Sequence, residues 1–201
     1  MNSRLIMAFA AASLAAAAPA SMATAQAVAP AVAQGPAIPG VCVISVNQAI
    51  STSAVGRYAT QRMEQIVAQV KAELAPEDTA ISTDGRALQA ARATLDQGTF
   101  QTRATALQQR IQAFQQKADL RQREVQATEQ KSLNRIAQEL DPIARQLYQQ
   151  RRCSVLIDKG SVINANADMD MTAQAITGLN GRIQQFAFDR EHLDTAAAPA
   201  R

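Results

Sequence analysis

The chain has 201 residues with no Trp, two Tyr and five Phe, which argues against a wide globular core. Its 47% hydrophobic content is largely alanine, a helix former that buries little surface. The formal net charge of +3 gives no support to nucleic-acid binding. The single histidine, His192, leaves nucleophilic or zinc-based catalysis without its usual base or ligand, so we expect neither an enzyme nor a cofactor.

The amino terminus has the features of a cleavable secretory signal. Arg4 precedes the uncharged, Ala/Leu-rich stretch 5–18, and Ala23-Thr24-Ala25 offers small residues for cleavage. Cleavage after Ala27 is the alternative. We therefore predict a signal peptide over 1–25, export to the periplasm, and no stable membrane insertion, since no other segment is long and apolar enough to span a bilayer.

A flexible leader and a first strand follow the signal. Residues 26–40 are rich in Ala, Val, Pro and Gly and cannot form a regular element. The β-branched run over 41–47 predicts a strand, with Cys42, Ile44 and Val46 on one face.

The central part of the chain predicts a helical arm over 55–151. Apolar residues recur there at three- and four-residue spacings. Pro76 is expected to interrupt the first long helix, Pro142 to kink the second, and the chain is expected to turn at Gly98 between them. The result is a pair of long antiparallel helices.

The apolar stripe of the second long helix is interrupted. Arg121 and Thr128 occupy positions where coiled-coil spacing favours apolar residues. We therefore expect a loose seam between Ala118 and Leu133.

Residues 153–165 predict two short strands joined by a turn at Lys159-Gly160, and 172–180 predict a terminal helix. Residues 181–201 are expected to be frayed or disordered. Strands this short are unstable alone, so those on either side of the arm must pair with each other. The predicted fold is mainly α, with a small β body from which the helical hairpin projects.

Cys42 and Cys153 each lie near the start of a predicted strand. A parallel pairing of those strands would place them side by side. In an oxidising compartment the pair could form a disulfide, and two buried free thiols or a redox-active pair are the alternatives.

Short segments in a fixed order carry a family resemblance. They are Val43-Ile44-Ser45-Val46-Asn47, Gly98, Phe114-Gln115-Gln116-Lys117, Cys153-Ser154-Val155-Leu156-Ile157-Asp158, Ser161-Val162-Ile163-Asn164-Ala165 and Asp170-Met171-Thr172. Together with the order of the elements, they resemble the Skp/OmpH family of periplasmic chaperones for outer-membrane proteins. The resemblance covers about residues 41–180.

The resemblance implies a homotrimer whose three arms enclose a cavity for unfolded outer-membrane proteins. The activity would be that of an ATP-independent holdase. A lipopolysaccharide site is not predicted, because only Lys117 matches the family's basic site, while its arginine pair falls on Ala127 and Thr128.

The second helix of the arm is basic, since residues 98–152 contain ten Lys or Arg and five Asp or Glu. Six of its residues are predicted to face a client: Arg103, Arg110, Phe114, Lys117, Arg121 and Arg123. The alternative is that the cations form a solvated coiled-coil face and that Phe114 belongs to the seam. At the level of the whole protein, the alternative is a structural coiled-coil scaffold of the envelope without clients.

Overall fold

A computed structural model describes residues 35–193, and most of this part is α-helix. The regular elements in chain order are β1 (Val41–Ile44), α1 (Val46–Thr52), α2 (Ala54–Ala90), α3 (Gln97–Gln150), β2 (Val155–Asp158) and α4 (Thr172–Arg182). This confirms the prediction of long helices with a small sheet. The predicted signal peptide, the leader up to residue 34 and residues 194–201 lie outside the described residues.

The sheet consists of two parallel strands. Val41 of β1 lies opposite Val155 of β2, and Ile44 lies opposite Asp158. The predicted strand over 161–165 is wrong, because the Asp158 carboxylate accepts a hydrogen bond from Gly160 N at 2.7 Å and the chain enters a 3-10 turn. A bridge from Val43 to Asp170 is formed instead on the free side of β1.

The first strand ends earlier than predicted, because Ser45 caps a helix. Its Oγ accepts a hydrogen bond from Gln48 N at 3.2 Å, so the predicted strand residues 46–47 begin α1. Ser53 then ends α1 and caps α2. A Cβ added to Gly56 would lie 1.8 Å from Ile50 O, so only glycine allows α1 and α2 to meet this closely.

The two long helices are unbroken, so the predicted interruption at Pro76 is wrong. A kink at Pro142 stays a prediction, since α3 continues through this residue. Both prolines are exposed, so water can bind the carbonyl groups that lose a helical hydrogen bond. The predicted turn at Gly98 lies slightly too late in the chain. Asp96 caps α3 by accepting a hydrogen bond from Thr99 N at 2.9 Å, which places Gly98 in the first turn of the helix.

The hydrophobic core lies at one end of the long helices. β1, α1, the start of α2, the end of α3 and α4 each contribute buried side chains to it. A Cβ on Gly178 of α4 would lie 2.7 Å from Ile143 Cγ2 of α3, so the absence of a side chain permits this close packing. We call this end of the molecule the base.

The prediction of a frayed or disordered tail after Gly181 is wrong for residues up to 193. After α4 the chain continues as an extended segment that contacts both long helices. Side chains at 186, 188 and 190 are partly buried, whereas those at 187 and 189 are exposed. We call residues 183–193 the strap.

Candidate functional site

Cys42 and Cys153 are joined by a disulfide at the base. Their Cα atoms are 5.8 Å apart although the residues lie 111 positions apart in the chain. Both residues are buried. The bond therefore joins the two ends of the segment that contains α1, α2 and α3.

Three of the predicted client-facing cations form ion pairs across the two long helices. Arg110 pairs with Asp84 at 2.5 Å, and Lys117 pairs with Glu77 at 2.9 Å. Arg121 pairs with Glu73 at 2.8 Å. The cations have successively higher residue numbers along α3, while their partners on α2 have successively lower ones. The paired residues therefore occur in opposite order on the two helices.

The other three predicted client-facing residues have different surroundings. Arg103 and Arg123 are exposed, and neither has an ion-pair partner within residues 35–193. Arg103, Leu88 and Leu107 line a shallow cavity of about 350 Å³ near the turn between α2 and α3. Phe114 is half-buried. A client-facing role for all six residues stays a prediction.

A cluster of two carboxylates and two guanidinium groups connects the strap to the helices. Glu124 is 2% exposed and contacts Arg121 at 3.1 Å and Arg190 of the strap at 3.3 Å. Glu73 contacts the same two arginines, each at 2.8 Å. Hydrogen bonds from Arg190 and then Arg121 hold the pKa of Glu73 below its ordinary value. Each carboxylate therefore has two cationic partners.

The helices also bind the backbone of the strap. Thr128 Oγ1 accepts a hydrogen bond from Glu191 N at 2.9 Å, and Glu124 Oε1 accepts one from Leu193 N at 3.2 Å. From α2, Arg62 Nε donates to Phe188 O at 3.2 Å. The strap is thus attached to both long helices.

The polar interruption predicted to loosen the seam has a different role. Thr128 is 2% exposed because the strap covers it, and its hydroxyl also donates to Glu124 O at 2.6 Å. A loose seam between Ala118 and Leu133 stays a prediction, since residues of α2 and α3 beside this position line a cavity of about 480 Å³. The polar side chains supply partners for the backbone of the strap, which an apolar seam could not do.

Sequence reasoning missed Glu73, Glu124 and Arg190 as an interacting set, and it missed Arg62 as a partner of the strap. Two signals were present. Glu124, Thr128 and Ser132 recur every fourth residue on α3 and are all buried, so they require polar partners. The strap contains Phe186-Ala187-Phe188, an alternation typical of an extended segment with one buried face.

Residues 35–193 contain no group of three or more His, Cys, Asp or Glu residues arranged to hold a metal ion. None of their helices is both long enough and apolar enough to cross a membrane.

The chain matches known proteins over most of this architecture. The family model "Outer membrane protein (OmpH-like)" matches residues 40–179. A crystal structure of an OmpH-like protein from Caulobacter crescentus CB15, described as a candidate outer membrane chaperone, is 44% identical, with a TM-score of 0.70. The match covers 81% of this chain and 96% of that chain. A search of the curated proteins finds no significant match. The resemblance found in the sequence is confirmed, and the chain belongs to the OmpH-like outer membrane protein family.

Proposed function

We propose that the mature chain is an ATP-independent periplasmic holdase that binds unfolded outer-membrane proteins and prevents their aggregation. Family membership over residues 40–179 is the observation that carries this proposal. Binding would require neither catalysis nor a cofactor. The signal peptide over residues 1–25 would direct export and would then be removed.

The outer half of the helix pair supports this function, because it has no core of its own. None of residues 71–123 is buried. The helices there present a shallow apolar cavity, which Leu88 and Leu107 line, beside the unpaired Arg103. Many weak contacts of this kind would hold an unfolded chain without selecting one sequence.

We further propose that three copies assemble through their bases and that each copy contributes an antiparallel helical arm. The outer edge of β2 has no partner strand within the described part of the chain. Val155 on this strand is 49% exposed, and Ile163 nearby in sequence is 98% exposed. An uncovered strand edge beside exposed apolar residues favours self-association. A stable monomer in light scattering at micromolar concentration would contradict the trimer.

The alternative is a coiled-coil scaffold of the envelope that binds no client. The ion pairs from Arg110, Lys117 and Arg121 favour it, because they join α2 to α3 over much of their length. A scaffold would need the helices to remain joined, whereas a holdase would need accessible surface along them. Client capture therefore distinguishes the two functions.

The direct test is to dilute an unfolded barrel protein from urea into buffer that contains the mature chain but no nucleotide. We expect the client to stay soluble at about one trimer per client, as measured by light scattering and sedimentation. Serum albumin at the same mass concentration is the control for crowding. Aggregation that proceeds equally with both proteins, at low and high salt, would favour the scaffold.

A charge variant tests whether the arm contributes to capture. Arg103→Glu is the best variant, because Arg103 has no ion pair to lose, whereas a change at Arg110 or Lys117 would also break a contact with α2. We expect weaker capture at low salt and a smaller difference at high salt. Arg145→Glu, at the base end of α3 where the side chain is 76% exposed, makes the same change of charge away from the outer arm, and it breaks only an exposed ion pair with Asp141 in its own helix. Equal effects of the two variants would contradict a client-facing arm.

A further inference from the structure

The strap lies on the helices as an extended peptide lies in a groove. From 186 to 190 its side chains alternate, with those at 186, 188 and 190 partly buried and those at 187 and 189 exposed. Ile183 and Glu191 are also partly buried. The rings of Phe186 and Phe188 are 5.1 Å apart and pack against the core of the base. This is the two-residue alternation of a β-strand with one face buried.

The groove contacts main-chain atoms that any peptide possesses. Thr128 and Glu124 accept hydrogen bonds from two backbone N–H groups of the strap, and Arg62 donates to one of its carbonyl groups. Such contacts do not depend on which side chains the bound peptide carries. Selectivity therefore comes from the apolar surface at the base, which accepts a large apolar side chain at every second position of an extended chain, and from Glu73 and Glu124, which bind one cation.

Several of the strap's other attachments are weak because water reaches them. Asp189 pairs with Arg62 but its side chain is 88% exposed, and Lys131, which pairs with Glu191, is 71% exposed. Exposed ion pairs contribute little to stability. The strap is therefore held mainly by its two aromatic rings, its backbone hydrogen bonds and Arg190.

We propose that the strap is an exchangeable occupant of a peptide-binding groove, and that an extended client segment with apolar side chains at alternate positions displaces it. Strands of membrane β-barrels have this alternation, with aromatic residues near both membrane interfaces. The assignment of the displacing peptide rests on the proposed holdase function. The groove itself follows from the contacts of the strap.

The test uses the full mature chain and a fluorescent synthetic peptide that reproduces residues 183–193. In the variant Phe186→Ser/Phe188→Ser the strap loses its aromatic contacts and competes less with the probe. We expect this variant to bind the probe at least about tenfold more tightly than wild type, because a tethered competitor acts at high effective concentration. Ala187→Ser, at the exposed position between the two rings, is the matched control and should bind as wild type does.

Two further peptides separate an extended-chain groove from a site for one sequence. Exchanging Ala187 and Phe188 in the probe keeps its composition but places the two aromatic residues on opposite faces, so its binding should be lost. An otherwise unrelated peptide with Tyr and Thr in alternation, and with Arg kept at the position of Arg190, should still bind, because the other hydrogen bonds go to the main chain. Binding of the exchanged peptide as tightly as the original, or failure of the Tyr/Thr peptide to bind, would overturn the proposal.

A loosened variant that binds the probe no more tightly than wild type would make the strap a purely structural element. If circular dichroism shows that the double variant has lost helix, Arg190→Ala replaces it, because it weakens the strap but keeps both aromatic rings. The aggregation assay on the wild-type chain separates the two proposals. If the wild-type chain protects the client but the variant binds the probe no more tightly, only the proposal of an exchangeable strap fails. If the variant binds the probe more tightly but the wild-type chain does not protect the client, the proposal that barrel proteins are the clients fails.

Discussion

The base and the outer half of the helix pair are stabilised in different ways. At the base, strands and helices bury Ile136, Met171 and Leu179 completely, and a disulfide crosses it. Over residues 71–123 no residue is buried, and ion pairs with exposed members join the helices. Burial of a large apolar side chain contributes about 2 to 3 kcal/mol, whereas an exposed ion pair contributes roughly 0 to 1 kcal/mol. Stability is therefore concentrated at the base, and the outer helices remain accessible.

The largest expected effect comes from the same truncation made in each region. Ile136 is fully buried at the base, so Ile136→Ala should lower the free energy of unfolding by about 2 to 5 kcal/mol. Ile111 is only half-buried in the outer half of α3, and Ile111→Ala should cost about 1 kcal/mol or less. Urea titration followed by circular dichroism measures both. Equal losses would contradict the contrast between the two regions.

The disulfide should give the next largest effect. Opening the bond between Cys42 and Cys153 releases a loop of 111 positions in the unfolded chain, which should cost about 2 to 4 kcal/mol. The variant Cys42→Ser/Cys153→Ser should therefore unfold at lower temperature. Adding reductant should destabilise the wild-type chain but leave this variant unchanged. Peptide mapping without reductant that finds both thiols alkylated would contradict the bond.

A smaller effect should follow from removing one hydroxyl beneath the strap. Thr128→Val keeps the shape of the side chain but leaves Glu191 N without its acceptor, so it should cost about 1 kcal/mol. Thr105→Val is the matched control, because the Thr105 hydroxyl is exposed and donates only to Gln101 O in its own helix. Hydrogen exchange should become faster at Glu191 in the first variant alone. Unchanged exchange there would show that the hydroxyl does not hold the strap.

The smallest expected effect is the pH dependence that Glu73 adds. Its pKa is below the ordinary value of 4.5, because Arg190 and Arg121 donate hydrogen bonds to the charged form. A lowered folded-state pKa means that this stabilisation is present above the unfolded pKa and is lost as the pH falls through the folded pKa. The melting temperature of the Glu73→Gln variant should therefore fall less than that of wild type when the pH is lowered from neutral to below 4.5. If the melting temperatures of the variant and wild type fall by the same amount as the pH is lowered, Glu73 does not contribute to the pH dependence of stability.

Elements with a strong periodic pattern could be predicted from the sequence. The long helices and α4 appear where apolar spacing placed them, because a helix of this length reveals its period many times over. The strand at 161–165 could not be excluded in the same way, since a short apolar run has little periodicity. There the Asp158 carboxylate accepts a hydrogen bond from Gly160 N, and the chain forms a turn instead of a second strand.

The candidate site depended more on tertiary contacts. Arg110, Lys117 and Arg121 were identified as basic residues, but their acids lie between 26 and 48 positions earlier in the chain. No local pattern links such residues. Their pairing follows from how α2 and α3 pack against each other, which depends on the turn and on packing at the base.

The sequence by itself determined the helical class, the likeness to the OmpH-like family and the positions of the two cysteines, since each follows from local pattern or motif order. Only the tertiary structure decided the course of residues 183–193. The local sequence does not by itself favour an extended form for these residues. Side chains of α2 and α3, such as Arg62 and Thr128, hold them in it. Thr128 is buried beneath this segment, where its hydroxyl serves as a hydrogen-bond partner. In the sequence alone, Thr128 is only a polar residue that interrupts an apolar stripe.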